Sequence, residues 1–506
     1  MLKMATPPPV IVVGSGLAGL SAASTLISHH IPVQMLDRAP KPGGNSIKAS
    51  SGINGAGTRF QDTDDSADIF FQDTLKSAGD AFNRASSDER ARREKLISTL
   101  ASRSADAVHW LVDGKGVELS RVAQLGGHSV PRTHRGAGRD PPGFSSVGTL
   151  LKELKGEELF TLQSGARVTR VVKEGKCVKG VEYVTVEGGG GQQGKVQMQT
   201  QTHTLNGPII FATGGFAGDS RGMLARYRPD LANFPSTNEA REGTQPILEA
   251  VGASVVDMDC VQVHPTGFVD RKDPAALVKI LAAEMLRGEG GILLNGDGSR
   301  FVNELETRQH VVDAIVKSTS RMETSTRQWD VTLVLDGSSA AAAGSHMDFY
   351  VAKGLMQKMT VGELDLPAVK TLQEYGDVVS GKKKDPFGRK SFGHWKLTEV
   401  MPEHEVYTGQ VTPVIHFTMG GVVIDEHGRV IGAEGTPIEG LWAAGEVTGG
   451  VHGQNRLGGS SLLECVVFGR IAGNEAAAWH KEHYPAAPPL SDDTRSRASS
   501  SAQGHA

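Results

Sequence analysis

The chain opens on the alternation that a parallel sheet requires. Val10 to Val13 is a short β-branched apolar run and reads as a buried strand. Leu20 to Ile27 reads as a helix, and Val33 to Leu36 is a second apolar run that ends in Asp37. The apolar run Pro208 to Ile210 repeats the strand signal far downstream. From Ser86 to Leu111 most positions are polar or charged, which reads as a solvated helix. Gly188 to Gly191, followed by Gln192 and Gln193, reads as a hairpin tip or flexible loop. The stretch from Pro485 to Ala506, rich in Pro, Ser, Ala and Arg, reads as disordered. No repeat of fixed period is visible, and no apolar run approaches the roughly 18 residues of a membrane span.

The turns between these elements carry the first chemistry. Gly14-Ser15-Gly16-Leu17-Ala18-Gly19 joins the first strand to the first helix. Such a glycine pattern is weak alone, and a turn without a nucleotide is the plainer alternative. Here a strand precedes it, a helix follows, and Asp37 lies 23 positions past Gly14, which together predict a dinucleotide-binding βαβ unit. The glycines let backbone N–H groups approach a pyrophosphate at a helix N-terminus, and Asp37 can accept from ribose hydroxyls. Further glycine clusters follow at Gly43-Gly44-Asn45-Ser46, at Thr213-Gly214-Gly215, at Gly445-Glu446 and at Gly458-Gly459-Ser460-Ser461-Leu462. One site touched by both ends of the chain implies a discontinuous domain. The expected fold class is α/β: a Rossmann-like domain split between residues 1–240 and 413–484, an inserted α+β capping domain at 241–412, and a tail at 485–506.

Composition narrows the function. The 506 residues suffice for two or three domains. Lys plus Arg is 53 against 57 for Asp plus Glu, a net charge of −4, so no basic excess points to nucleic acid. Cys177, Cys260 and Cys465 are far apart, which excludes a disulfide scaffold, an attached c-type haem and a cysteine-ligated iron–sulfur cluster. Met1 to Pro9 leave no room for a cleavable leader before the glycine motif, so a reducing, cytoplasmic setting without a membrane is expected.

Cationic or chargeable groups sit beside the glycine clusters: His264 in His264-Pro265-Thr266-Gly267, Arg308, His416 in His416-Phe417-Thr418-Met419-Gly420-Gly421, and Arg456. Glu284 and Arg287 lie three apart and share a face if helical. A lone histidine is more often structural and a lone arginine more often solvated. Together they describe a cationic pocket for a dianion, since arginine forks match carboxylates.

These strings resemble the soluble FAD-dependent fumarate reductases of the succinate dehydrogenase/fumarate reductase flavoprotein family, and the fungal soluble type in particular. The resemblance runs from Val10 to about His483. It rests on Gly43 to Ala56, on Gly126-Gly127-His128-Ser129-Val130-Pro131-Arg132-Thr133-His134-Arg135, and on Val451-His452-Gly453-Gln454-Asn455-Arg456-Leu457-Gly458-Gly459. It implies FAD held by Gly14, Ser15, Gly16, Ala18, Gly19, Asp37, Arg38, Gly44, Asn45, Ser46, Ser51, Gly52, Ile53, Val168, Thr213, Gly214, Gly215, Glu446, Ser461 and Leu462. It implies substrate carboxylates held by His264, His416, Arg456 and Gly459. Arg308 matches the family's proton donor, and Glu284 with Arg287 matches the relay that reprotonates it. The implied reaction is reduction of fumarate to succinate, with reduced flavin or a separate reductase as electron donor. Reduction or dehydrogenation of urocanate, another enoate or a 3-ketosteroid is the alternative, and a flavin binder without turnover is a third.

Three departures from the family pattern stand out. Asn45 occupies the position of the histidine that carries covalent FAD in membrane-complex relatives, so noncovalent FAD is expected. Ala283 stands where a bacterial relative has Thr. Gly243-Thr244-Gln245 replaces the usual Gly-Asp-Gly, which puts local flavin contacts in question.

Overall fold

Val10–Val13 is fully buried, so both faces of this strand need cover and a parallel position in mid-sheet suits it. The computed structural model, which describes residues 7–138, 140–189 and 197–485, places it there. Parallel strands Phe160–Ser164, Val33–Asp37, Val10–Val13, Ile209–Phe211 and Pro437–Ala443 lie side by side in that order. The long strands Arg167–Glu174, Cys177–Gly189 and Gln197–Asn206 extend this nine-stranded sheet as an antiparallel ribbon. Gly188 and Gly189 end a strand. The expected loop beyond them at 190–193 and the tail at 486–506 lie outside the described residues.

The first helix, Leu17–Ser28, is buried along most of its length because the last helix, Ser460–His483, packs against it. That contact depends on missing side chains. A Cβ on Gly469 would sit 2.5 Å from the Ala18 carbonyl oxygen, and one on Gly473 would sit 2.8 Å from that of Ala22. The two ends of the chain therefore share one hydrophobic core.

A second, antiparallel sheet is built from Val261–Phe268, Glu405–Thr418, Val331–Asp336 and Ile292–Asn295, with Gln357–Thr360 also paired to Glu405–Thr418. The strand Glu405–Thr418 runs across residue 412. Among the described residues no helix is long and apolar enough to cross a membrane.

The stretch expected as a solvated helix is corrected. It folds as Ser87–Ser102, Ser104–His109 and a π-turn at Trp110–Gly114, and one face is buried through Leu96, Ile97 and Leu100. Arg93 is buried too, because Glu89 and the distant Asp257 neutralise it at 2.5 and 2.6 Å. A charge paired in this way does not require solvent.

Candidate active site

The first glycine turn is shaped for close approach. Gly14 has φ +105°, and a Cβ there would lie 2.4 Å from the Ala212 carbonyl oxygen. The turn opens into a cavity of about 690 Å³, within the usual range for a bound small molecule. Of the residues implied as FAD contacts, Gly14, Ser15, Gly16, Ala18, Asp37, Arg38, Gly44, Asn45, Ser46, Ser51, Gly52, Val168, Thr213, Gly214, Gly215, Glu446, Ser461 and Leu462 line it. Gly19 and Ile53 do not. Gly19 lets the first helix close on Gly14, where a Cβ would come within 2.0 Å of the carbonyl oxygen. Ile53 is a buried strand residue paired with His134. Asp37 accepts from the Ser15 amide at 2.9 Å and from the Ser15 hydroxyl, which ties the acidic strand end to the turn. Arg38 donates to the Glu242 carbonyl at 2.6 Å.

Burial pushes the Glu446 carboxyl up to about 7, although the Thr418 amide donates to it at 2.9 Å. Gly243-Thr244-Gln245 is also ordered by contacts. The Gly243 amide donates to Asp219 at 3.1 Å, and the Thr244 and Thr213 hydroxyls meet at 2.6 Å. The Gln245 amide group is buried without a partner.

Arg308, His416, Arg456 and Gly459 line the same cavity. His264, Glu284 and Arg287 stand behind them, fully buried. The two histidines come from adjacent strands, and their rings lie 5.4 Å apart. Burial, then the charges of Arg308 and other neighbours, lowers both well below the usual histidine range. In the expected cationic pocket the charge therefore rests with the arginines, while burial favours the neutral form of both histidines. His264 Nδ1 lies 3.1 Å from the Thr266 carbonyl oxygen and 3.2 Å from its amide nitrogen, and Nε2 is buried without a partner. His416 Nδ1 is 3.0 Å from the Thr237 hydroxyl oxygen.

Arg308 opens the helix Arg308–Ser318. Its Nε and Nη2 donate to Glu284 Oε2 at 2.8 and 2.5 Å, and Nη1 donates to Gln262 Oε1 at 2.7 Å. Burial alone would raise the Glu284 carboxyl. The charges of Arg308 and Arg287, with bonds from Arg308 and the Gly126 amide, instead hold it at about 2. Glu284 is thus a fixed anion. It caps a four-residue helix, Met285–Gly288, which shortens the expected relay helix. Arg287 Nη2 is 3.9 Å from Glu284 Oε1, too far for a hydrogen bond. Its Nη1 donates to the Glu304 carbonyl at 2.6 Å, while Nε is buried and unpartnered.

Arg456 donates to the Leu457 carbonyl at 3.0 Å and lies 4.2 Å over the Phe417 ring. Its Nε is an unpartnered buried donor. Burial and the charge of Arg308 lower its guanidinium to about 9. Ala283 is buried, and its amide donates to the Tyr350 hydroxyl at 3.2 Å. Sequence reasoning missed Gln262, Gly126 and Phe417. Gln262 had a signal, since it lies two residues before His264 on one strand and so shares its face.

The glycine turn, the acidic strand end and the continuous cavity fit a bound dinucleotide, and the Rossmann-like sheet with its antiparallel second sheet defines an FAD-dependent flavoprotein oxidoreductase. The FAD binding domain family matches residues 9–462, and the chain belongs to it. Fumarate reductase 1 of Saccharomyces cerevisiae is 42% identical over 93% of this chain and 98% of its own length. A fumarate reductase of Schizosaccharomyces pombe is 39% identical, over 94% and 91%. Among solved structures, the open conformation of a flavocytochrome c3 fumarate reductase matches 94% of this chain and 79% of its own, with 31% identity and a TM-score of 0.69. A 3-ketosteroid dehydrogenase from Rhodococcus jostii, at 21% identity and a TM-score of 0.63, shares the fold.

Proposed function

We propose that this chain reduces fumarate to succinate with noncovalently held FAD. The observation that carries this reading is one cavity lined by Arg308, His416 and Arg456, where Arg456 Nε is a buried donor without a partner and Arg308 is held by the Glu284 anion. A dicarboxylate satisfies buried donors that nothing else satisfies, and leaving them unmet is expensive.

Reduced FAD, when bound, supplies a hydride to one alkene carbon. Arg456, with His264 and His416, grips the carboxylates and stabilises negative charge as it develops on the substrate. Arg308 delivers a proton to the other alkene carbon. Arginine is a weak acid, with a pKa of roughly 12.5 or more in water. Once Arg308 has given its proton to carbon, Glu284, an anion at rest, passes a proton on to it and is left an anion again. That proton comes from Arg287 across the 3.9 Å gap, with a small closing movement or a bridging water, and Arg287 is reprotonated from solvent. The segment 241–412 closes over the substrate and excludes water. Asn45 holds no covalent flavin, because an amide is not a nucleophile. Free reduced flavin or a separate reductase supplies the electrons.

The test is anaerobic. Purified protein is reduced with dithionite-treated viologen and mixed with fumarate. Rapid flavin reoxidation with stoichiometric succinate is expected. Reoxidation by another enoate but not by fumarate would overturn the substrate assignment. Arg308→Ala should abolish turnover and keep bound flavin; near wild-type rates would exclude it as proton donor. Arg456→Ala should raise KM and lower kcat together, because its contact strengthens in the transition state.

A further inference from the structure

Ser236-Thr237-Asn238 lies between the flavin-type loop and the strand that carries His416, and the reading above gives it no role. Several of its bonds converge on the backbone around His416. The Thr237 amide donates to the Ile415 carbonyl at 2.9 Å, and the Ser236 hydroxyl donates to the same oxygen at 3.1 Å. The Asn238 side-chain amide donates to the His416 carbonyl at 2.9 Å and accepts from Asn45. The backbone on both sides of the His416 ring is thus held by one short segment.

The Ile415 carbonyl oxygen already accepts from the Thr237 amide, and the Ser236 hydroxyl lies 3.1 Å from it and 3.3 Å from the Ala217 carbonyl oxygen. The Thr237 hydroxyl is 3.5 Å from the Ile415 oxygen but 3.0 Å from His416 Nδ1. Nδ1 is thus the nearer acceptor for its hydrogen. A neutral imidazole that accepts at Nδ1 carries its proton on Nε2.

We infer that Thr237 is a positioning residue for substrate binding: its hydroxyl fixes the His416 tautomer and ring plane so that Nε2–H is the donor offered to a substrate carboxylate. Without this bond the ring can turn or exchange tautomers, and a lone pair at Nε2 repels a carboxylate. The inference rests on the reading of His416 as a carboxylate ligand. It also assigns a use to the segment just before the altered Gly243-Thr244-Gln245 turn: it ties His416 to Asn45 rather than contributing an acid.

Thr237→Val is nearly isosteric and keeps the backbone bond, and Thr237→Ala removes the hydroxyl without adding an apolar methyl pair. Both are measured as flavin-loaded protein, with visible spectrum and melting temperature as controls. The readouts are fumarate KM and kcat, and the Kd of succinate for the oxidised enzyme. Loss of one buried hydrogen bond predicts a rise in KM and Kd of about tenfold, with kcat changed less than threefold. Thr237→Ser restores the hydroxyl and should bring KM and Kd back toward wild type. His416→Ala is run beside them. If it weakens succinate binding while Thr237→Val and Thr237→Ala leave KM and Kd within twofold of wild type, the inference is wrong. If His416→Ala itself leaves succinate binding unchanged, the reading of His416 fails first.

Discussion

Glu446 is a carboxyl that folding favours in its protonated form. Its usual value is 4.5, and burial pushes it up to about 7. The folded state holds the proton more tightly than the unfolded chain. Its contribution is therefore intact below about 4.5, declines as pH rises from there to about 7, and stays lost above. The shift corresponds to a penalty on the order of 3 kcal/mol at alkaline pH. Glu446→Gln keeps an oxygen for the Thr418 amide and hydroxyl and removes the charge. The flavin-free variant should melt several degrees above wild type at pH 8.5 and near wild type at pH 5; equal gains at both pH values would mean that charge burial is not the cause. The residues of the site were legible as a set, because glycine strings, two histidines and the arginines sit in specific patterns. Their charge states were not. His264 and His416 read only as chargeable in the sequence, and burial with arginines that fold in from other parts of the chain favours their neutral form. Such sums depend on partners brought together only by the fold.

Elements meet through glycine in two different ways, and the contrast is testable. Gly469 lies where the last helix crosses the first, with no room for a Cβ near the Ala18 carbonyl. Gly148 is an exposed glycine in the helix Pro142–Leu154, and a Cβ there meets nothing within 4 Å. Alanine is the better helix former by about 1 kcal/mol, so Gly148→Ala should stabilise by up to that amount. Gly469→Ala gains the same propensity but overpacks the crossing, and it should destabilise by about 1–3 kcal/mol net. Denaturant midpoints of the two variants check the order; a stabilising Gly469→Ala would show that the helices separate without loss. The βαβ unit was readable because apolar period, turn glycines and the acidic strand end agree with one another. The face buried by Ser87–Ser102 was not, because Arg93 reads as solvent-facing until Asp257, more than a hundred residues on, is seen to neutralise it.

At the scale of the whole molecule, one cavity collects residues from Val13 to Cys465. The glycine clusters read near both ends of the chain, at Gly14 and at Gly445 and Gly459, all line this cavity. The place where the second sheet begins and ends was less legible, since Glu405–Thr418 is a single continuous strand through the expected boundary. A ligand that bridges so many separate segments binds only the folded chain and shifts its unfolding by mass action, by about 2.7 kcal/mol at a free concentration one hundred times Kd. FAD added to flavin-stripped protein should therefore raise the melting temperature in a concentration-dependent way, and Arg308→Ala should leave that rise intact. The proposed noncovalent attachment turns on Asn45. Its side-chain amide donates to Asn238, which in turn donates to the His416 carbonyl, so this position is bound into the substrate half of the site. An amide nitrogen whose lone pair is delocalised into its carbonyl forms no bond to flavin carbon, whereas an imidazole at the same place can. Acid precipitation of the holoprotein should accordingly release all of its flavin to the supernatant; yellow colour retained in the washed pellet would place a covalent link elsewhere in the cavity and overturn the noncovalent assignment.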